Sequence, residues 1–249
     1  MTTDIRATLT GVPNSKAHGE FILPTLRIHN EGSEPVEVSN RLNLFEGDVL
    51  IRCTDPNGEQ SQLRGIISVD TLPRTVELST GQWLESGLFL FYTAEGFTFN
   101  DLGSYSLTVE YHPGFSDTTV TSDPIDFQII EPPTEEMQIL RDKTMVDEVG
   151  RAIALCGLET DPTAIAPLES LGEQFPDRPE GAIARFALGE ITDTEEVNLN
   201  SIFDRWGPTT TARWITALLS SESTEESTKR EYLDTLDRSR RIIRGEAIG

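Results

Sequence analysis

The chain has 249 residues, enough for one large domain or two ordinary ones. Hydrophobic residues make up 37% and charged residues 25%, a balance that excludes the disordered and membrane classes. Its 42 acidic and 20 basic side chains leave a net charge of −22, which repels phosphate backbones and anionic bilayers and so argues against a nucleic-acid or membrane partner.

The acidic excess is spread along the chain. Residues 1–131 hold 19 acidic and 7 basic side chains, and the remainder holds 23 and 13. Lysine occurs only at Lys16, Lys143 and Lys229. Many acids with few lysines suit a salt-rich cytoplasm, where counter-ions screen self-repulsion. The opening stretch MTTDIRATLTG lacks the basic-then-apolar pattern of a secretory signal, and no apolar run approaches the roughly 18 residues that cross a bilayer. A cytoplasmic location is therefore expected. Cys53 and Cys156 stand far apart in apolar contexts and read as buried thiols.

Taken in chain order, the first half alternates as strands do. Strand-like runs occur at Ile5–Leu9, Phe21–His29, Val36–Leu44, Val49–Thr54, Thr75–Leu78, Trp83–Tyr92, Ser104–Tyr111 and Ile125–Ile130. Turn-forming clusters separate them, among them Asn30-Glu31-Gly32, Asp55-Pro56-Asn57-Gly58 and Asp101-Leu102-Gly103. So many short strands, with no helical period before residue 134, predict a β-sandwich. Pro132 and Pro133 then remove two backbone donors and stop the last strand. From Glu135 to about Leu158 the spacing of Val146, Val149, Ile153 and Cys156 predicts a helix. Asp161-Pro162 supplies a cap and a first-turn proline for the next, whose stripe is Ile165, Leu168, Leu171 and Phe175. Helices are also expected over 179–189, 199–206, 209–220 and 224–244, with Trp206-Gly207-Pro208 as a break. The expected fold class is α+β with two segregated domains: an all-β sandwich over 1–131 and an all-α bundle over 132–249.

Three stretches carry a resemblance. Leu26-Arg27-Ile28-His29-Asn30-Glu31-Gly32 with Glu34-Pro35-Val36-Glu37-Val38, then Leu78-Ser79-Thr80-Gly81-Gln82, then Leu102-Gly103-Ser104-Tyr105-Ser106-Leu107-Thr108-Val109 together resemble prokaryotic immunoglobulin-like sandwich domains. The last stretch resembles the Gly-x-Tyr strand that carries a tyrosine corner. Phe175-Pro176-Asp177-Arg178-Pro179-Glu180-Gly181-Ala182 is similar to the text between helices of tetratricopeptide-like repeats. Both resemblances imply a fold and no particular activity.

The chemistry-bearing residues are sparse. The histidines are His18, His29 and His112, and the chain has no Gly-x-Ser-x-Gly elbow, Walker loop or dinucleotide fingerprint. Asp55-Pro56-Asn57-Gly58-Glu59 alternates oxygen-bearing side chains like half a calcium loop, but its proline and flanking strands favour a hairpin turn. No catalytic residue, metal ligand or cofactor is expected. Candidate partner-binding residues are Phe97 and Phe99 in the aromatic segment after Tyr92, Trp206 and Trp214 around the Gly-Pro break, and Arg238 and Arg241 in a locally basic tail. The expected function is a non-catalytic protein-interaction or adaptor module. The alternatives are a regulator of proteolysis, as inhibitor or cleaved substrate, and a hydrolase with a site at the domain junction.

Overall fold

The computed structural model describes residues 5–44, 47–66, 75–114, 118–155 and 161–188. Thirteen strands come first among them: β1 (Ile5–Thr10), β2 (Ser15–Ala17), β3 (Thr25–Asn30), β4 (Val36–Ser39), β5 (Val49–Thr54), β6 (Gln60–Leu63), β7 (Thr75–Leu78), β8 (Trp83–Gly87), β9 (Tyr92–Thr93), β10 (Gly96–Phe97), β11 (Gly103–Tyr111), β12 (Val120–Thr121) and β13 (Ile125–Ile130). Four helices follow: α1 (Glu135–Thr144), α2 (Asp147–Ala154), α3 (Pro162–Gln174) and α4 (Pro179–Ala187).

The main strands form two sheets. One runs β1-β3-β8, antiparallel throughout. The other runs β2-β13-β11-β5-β6 with β12 added to β11, and only β2 lies parallel to its neighbour. The pairs β4–β7 and β9–β10 stand apart. Strand alternation sends every second residue inward. Ile5, Ala7 and Leu9 of β1, Leu26 and Ile28 of β3, and Leu84 of β8 meet Val49, Ile51 and Cys53 of β5 and Tyr105, Leu107, Val109 and Tyr111 of β11 in one apolar core. The Tyr105 hydroxyl donates back to the Asp101 carbonyl at 3.0 Å and accepts from the Asp101 N–H at 3.1 Å, pinning the entry to β11.

Three boundaries differ from expectation. The run Val36–Leu44 stops as a strand at Ser39, because Arg41 folds back to pair with Asp48 and the Ser39 hydroxyl donates to that same carboxylate. The run Trp83–Tyr92 leaves the ladder after Gly87. Leu88 N–H still reaches the Pro24 carbonyl at 2.8 Å, while Phe89, Phe91 and Tyr92 turn toward the helices. The single helix expected over 135–158 is two. The Thr144 hydroxyl donates to the Gly19 carbonyl at 2.8 Å, and Met145 takes non-helical angles (φ −85°, ψ 36°) before α2 starts. The cap read from sequence is in place, Asp161 accepting from Thr163 N–H at 2.8 Å, and the structure adds a second at α1, where Thr134 accepts from Met137 N–H at 3.2 Å.

A second apolar cluster joins the parts. Leu140, Val149, Ile153, Leu168, Leu171 and Ile183 supply the helical side, and Phe21 and Phe91 of the β-rich part are buried among them. The helices expected over 199–206, 209–220 and 224–244 lie outside the described residues.

Candidate interaction site

The expected aromatic loop faces inward. Phe99 is 5% exposed in the β core, edge-on to Tyr105 and Phe127 at 5.3 and 5.4 Å, so it has no surface to offer a partner. That corrects its reading as a docking residue: an aromatic ring gains more from the core than from water. Phe97 is half-buried, edge-on to Phe91 and Tyr92. A Cβ on Gly150 would come within 2.8 Å of its ring and 2.4 Å of Tyr92, so α2 lies directly against this hairpin. The loop's occupant is the chain's own helix. Tyr92 completes the contact by donating to Asp147 at 2.6 Å, and burial together with that bond pushes its pKa up to about 12. Trp206, Trp214, Arg238 and Arg241 lie outside the described residues.

The junction has a polar half that sequence reading missed. Residues 17–21 form a tight turn wedged between α1 and α4. Gly19, at φ +93°, lies so close to α1 that a Cβ there would sit 2.5 Å from the Arg141 Cα. Glu180, fully buried, accepts the Phe21 N–H at 2.9 Å and the Arg178 Nε–H at 3.2 Å. Arg178 also donates to Glu20 at 2.6 Å, and Glu20 accepts the Ala17 N–H at 2.7 Å. A buried carboxylate is tolerated here because each of its oxygens accepts a bond, one of them from a guanidinium. His18 belongs to this turn. Burial and the Arg141 guanidinium hold its pKa below the usual histidine value, against the smaller pull of Glu131 and Asp101, and its buried Nε2 has no protein partner.

A second polar centre closes the far end of the β core. Asp48 accepts from Arg41 Nε at 2.6 Å, from the other arm of that guanidinium, and from the Ser39 hydroxyl. Tyr111 donates to the Ser39 carbonyl at 2.6 Å. With its hydroxyl committed to a carboxylate, Ser39 is held as a structural donor. Cys53 is equally unreactive: burial pushes its thiol up to about 12, and Asp55 adds to the effect. The other histidines lie on separate surfaces, His29 beside Trp83 and His112 beside Thr119. In the 55–59 turn, Asp55 Oδ1 accepts from the N–H groups of Asn57 and Glu59 at 2.9 and 2.8 Å. Among the described residues no group of three or more His, Cys, Asp or Glu is placed to hold a metal ion. A cleft lined by Leu44, Ile66, Leu88, Phe89, Tyr92 and Ala154 encloses about 20 Å³, room for a water rather than a substrate.

The remaining candidate is the rim of the six-stranded sheet. The Asp55 N–H bonds the Glu59 carbonyl at 2.9 Å, which sets the phase of the β5–β6 ladder. Bonded pairs alternate in an antiparallel ladder, so Cys53–Ser61 and Ile51–Leu63 are bonded and the main-chain groups of Gln60 and Gln62 point away from β5. Among the described residues, strand β6 ends the sheet there. Its four residues, Gln60-Ser61-Gln62-Leu63, carry no charge, whereas the outer strands β1, β2 and β8 carry Arg6, Lys16 and Glu85.

No protein-family model matches the sequence, and no curated protein sequence matches it either. Solved structures similar to part of it include a β-glucosidase from Listeria innocua in complex with laminaribiose, at 11% identity and a TM-score of 0.31 over 52% of this chain. The chain spans 16% of that enzyme's length. A CARDB domain from Pyrococcus furiosus, in complex with di-metal ions, is similar at 13% identity and a TM-score of 0.28, covering 51% of this chain and 94% of that domain. A Pseudomonas fluorescens alkylpurine DNA glycosylase bound to DNA is similar at 10% identity and a TM-score of 0.30, over 52% of this chain and 31% of its own.

Proposed function

We propose that this chain is a non-catalytic protein-interaction module of the cytoplasm, an immunoglobulin-like sandwich over 1–131 joined to a small, tetratricopeptide-like helical domain over 132–249. Strand order supports the fold: three strands face a sheet whose centre is β11, the strand that carries the Tyr105 corner, and β2 adds in parallel beside β13. The observation that carries the function is the uncharged outer edge of β6. Sheet edges left without charge, proline or cover are templates for another strand, and proteins ordinarily blunt them. An extended peptide adding there finds the main-chain groups of Gln60 and Gln62, with side-chain specificity set by the neighbouring face. For the hydrolase alternative, the junction's charged groups are already committed to one another and to backbone.

The test is selection of displayed random dodecapeptides against the full chain, followed by titration of the peptides recovered. Gln62→Pro removes one outward N–H without touching a ladder bond, an edge position where proline is tolerated. Binding that falls at least about tenfold in this variant, with an unchanged circular dichroism spectrum, is expected for the loss of a main-chain hydrogen bond or two. Failure to recover any peptide, or full binding by Gln62→Pro, sinks the reading.

A further inference from the structure

The open rim of β6 is short, and its far end is closed by the chain itself. Main-chain groups of Gln60 and Gln62 point outward, and the next outward position is Arg64. The Arg64 carbonyl is already taken, by the Ala94 N–H at 3.0 Å. Ala94 lies between β9 and β10, so that hairpin stands about one strand spacing, ~4.8 Å, outside β6. A strand laid along Gln60 and Gln62 therefore runs head-on into the hairpin. It has to end there or leave the edge.

The charge at that point differs from the rest of the molecule. Arg6, Arg27, Arg41, Arg52, Arg141 and Arg178 are each bound to a carboxylate. Arg64 is exposed, and no ion pair among the described residues includes it. The Glu95 side chain, next to Ala94, accepts from the Thr93 hydroxyl at 3.4 Å within its own hairpin. Arg64 thus holds a positive charge beside an outward N–H, at the place where the open edge stops.

We propose that the β6 edge takes the carboxy terminus of a partner polypeptide, laid parallel to β6. This rests on the edge reading above and states which peptides the edge accepts. In a parallel ladder each outward residue bonds two residues of its neighbour, one through its N–H and one through its carbonyl. The partner's last N–H then donates to the Gln62 carbonyl, and its terminal carboxylate accepts the Arg64 N–H and meets the guanidinium. A chain entering the opposite way brings its terminal ammonium to the same arginine, which repels it. The chain's net charge of −22 disfavours further acids, so the residues ahead of the terminus are neutral or basic.

The probe is a library of random decapeptides anchored through their amino ends, each with a free carboxy terminus, screened against the full chain. The tightest binders are then titrated as the free acid, as the carboxamide, and with three glycines added after the last residue. The free acid is expected to bind at least about tenfold more tightly than either derivative, since one loses a charge-assisted hydrogen bond and the other meets the hairpin. Arg64→Ala lowers free-acid binding by a similar factor and abolishes the difference between acid and carboxamide. Arg6→Ala, on the other sheet, changes neither. Equal binding of acid and carboxamide overturns the proposal, as does an Arg64→Ala variant that keeps the difference. If Gln62→Pro still weakens those peptides, the edge reading survives that failure. Binding that ignores Gln62→Pro sinks the edge reading and this proposal with it, as does a library from which nothing is retained.

Discussion

The two apolar cores of this molecule are built on different terms. The first is closed by the strands themselves: inward positions of β1, β3, β5, β8 and β11 meet without help from any helix. The second is assembled from both parts, with Phe21 and Phe91 buried among helical residues and Phe89, Tyr92 and Phe97 packed at its margin. The four short helices among the described residues present little apolar surface, and aromatic rings lent by the sheet region complete the core they line. A boundary in sequence at Pro132-Pro133 is thus not a boundary in packing.

Cutting the chain at that boundary is the most severe way to break the comparison. Residues 1–131 alone are expected to unfold cooperatively, while 132–249 alone shows no cooperative transition by calorimetry. A cooperative transition in the second fragment would make the helical core self-sufficient. Phe91→Ala comes next. Removing a buried ring costs about 3–5 kcal/mol, and the loss should appear in amide exchange of α1–α3 before it reaches β5 and β11. Gly150→Ala forces a methyl into the Tyr92 ring and is expected to cost about 1–3 kcal/mol by denaturant titration, again on the helical side. Tyr105→Phe sharpens the contrast from the other core: loss of the hydroxyl bond to Asp101 costs about 1 kcal/mol and is felt in β11, with the helices unaffected.

The smallest effect depends on pH. Because the His18 pKa is lowered on folding, the neutral ring is the form the native state favours. That stabilisation is present above the unfolded value of about 6.5 and is lost as pH falls below it. Amide exchange of α1 should therefore accelerate on acidification, and His18→Asn should flatten that dependence. An unchanged pH profile in the variant would assign the effect to other groups.

The sequence made some of this legible and hid the rest for physical reasons. Strands buried on one face announce themselves by alternation, as β1, β5 and β11 do. Strand β6 does not, because Gln60-Ser61-Gln62 is held by ladder bonds and exposes two polar residues. Tyr105 was found through a local pattern, since its partner lies four residues away. Glu180 was not, since its partner Phe21 is 159 residues away and a first-turn glutamate reads as an ordinary helix start. Phe97 and Phe99 were singled out together for their density of aromatic character, yet one packs against α2 and the other sits in the β core. Two positions along one irregular segment point to different cores, and no periodicity encodes that.

The bond from Phe21 to Glu180 also sets a timetable. During synthesis the turn at 17–21 leaves the ribosome long before α4 exists, and Phe21 and Phe91 stay uncovered until the helices emerge. A link of such sequence separation closes late, because the loop entropy is spent before the contact is made. The nascent β-rich part therefore passes through an interval with a bare aromatic patch, the stage at which a chaperone or a neighbouring nascent chain would find it.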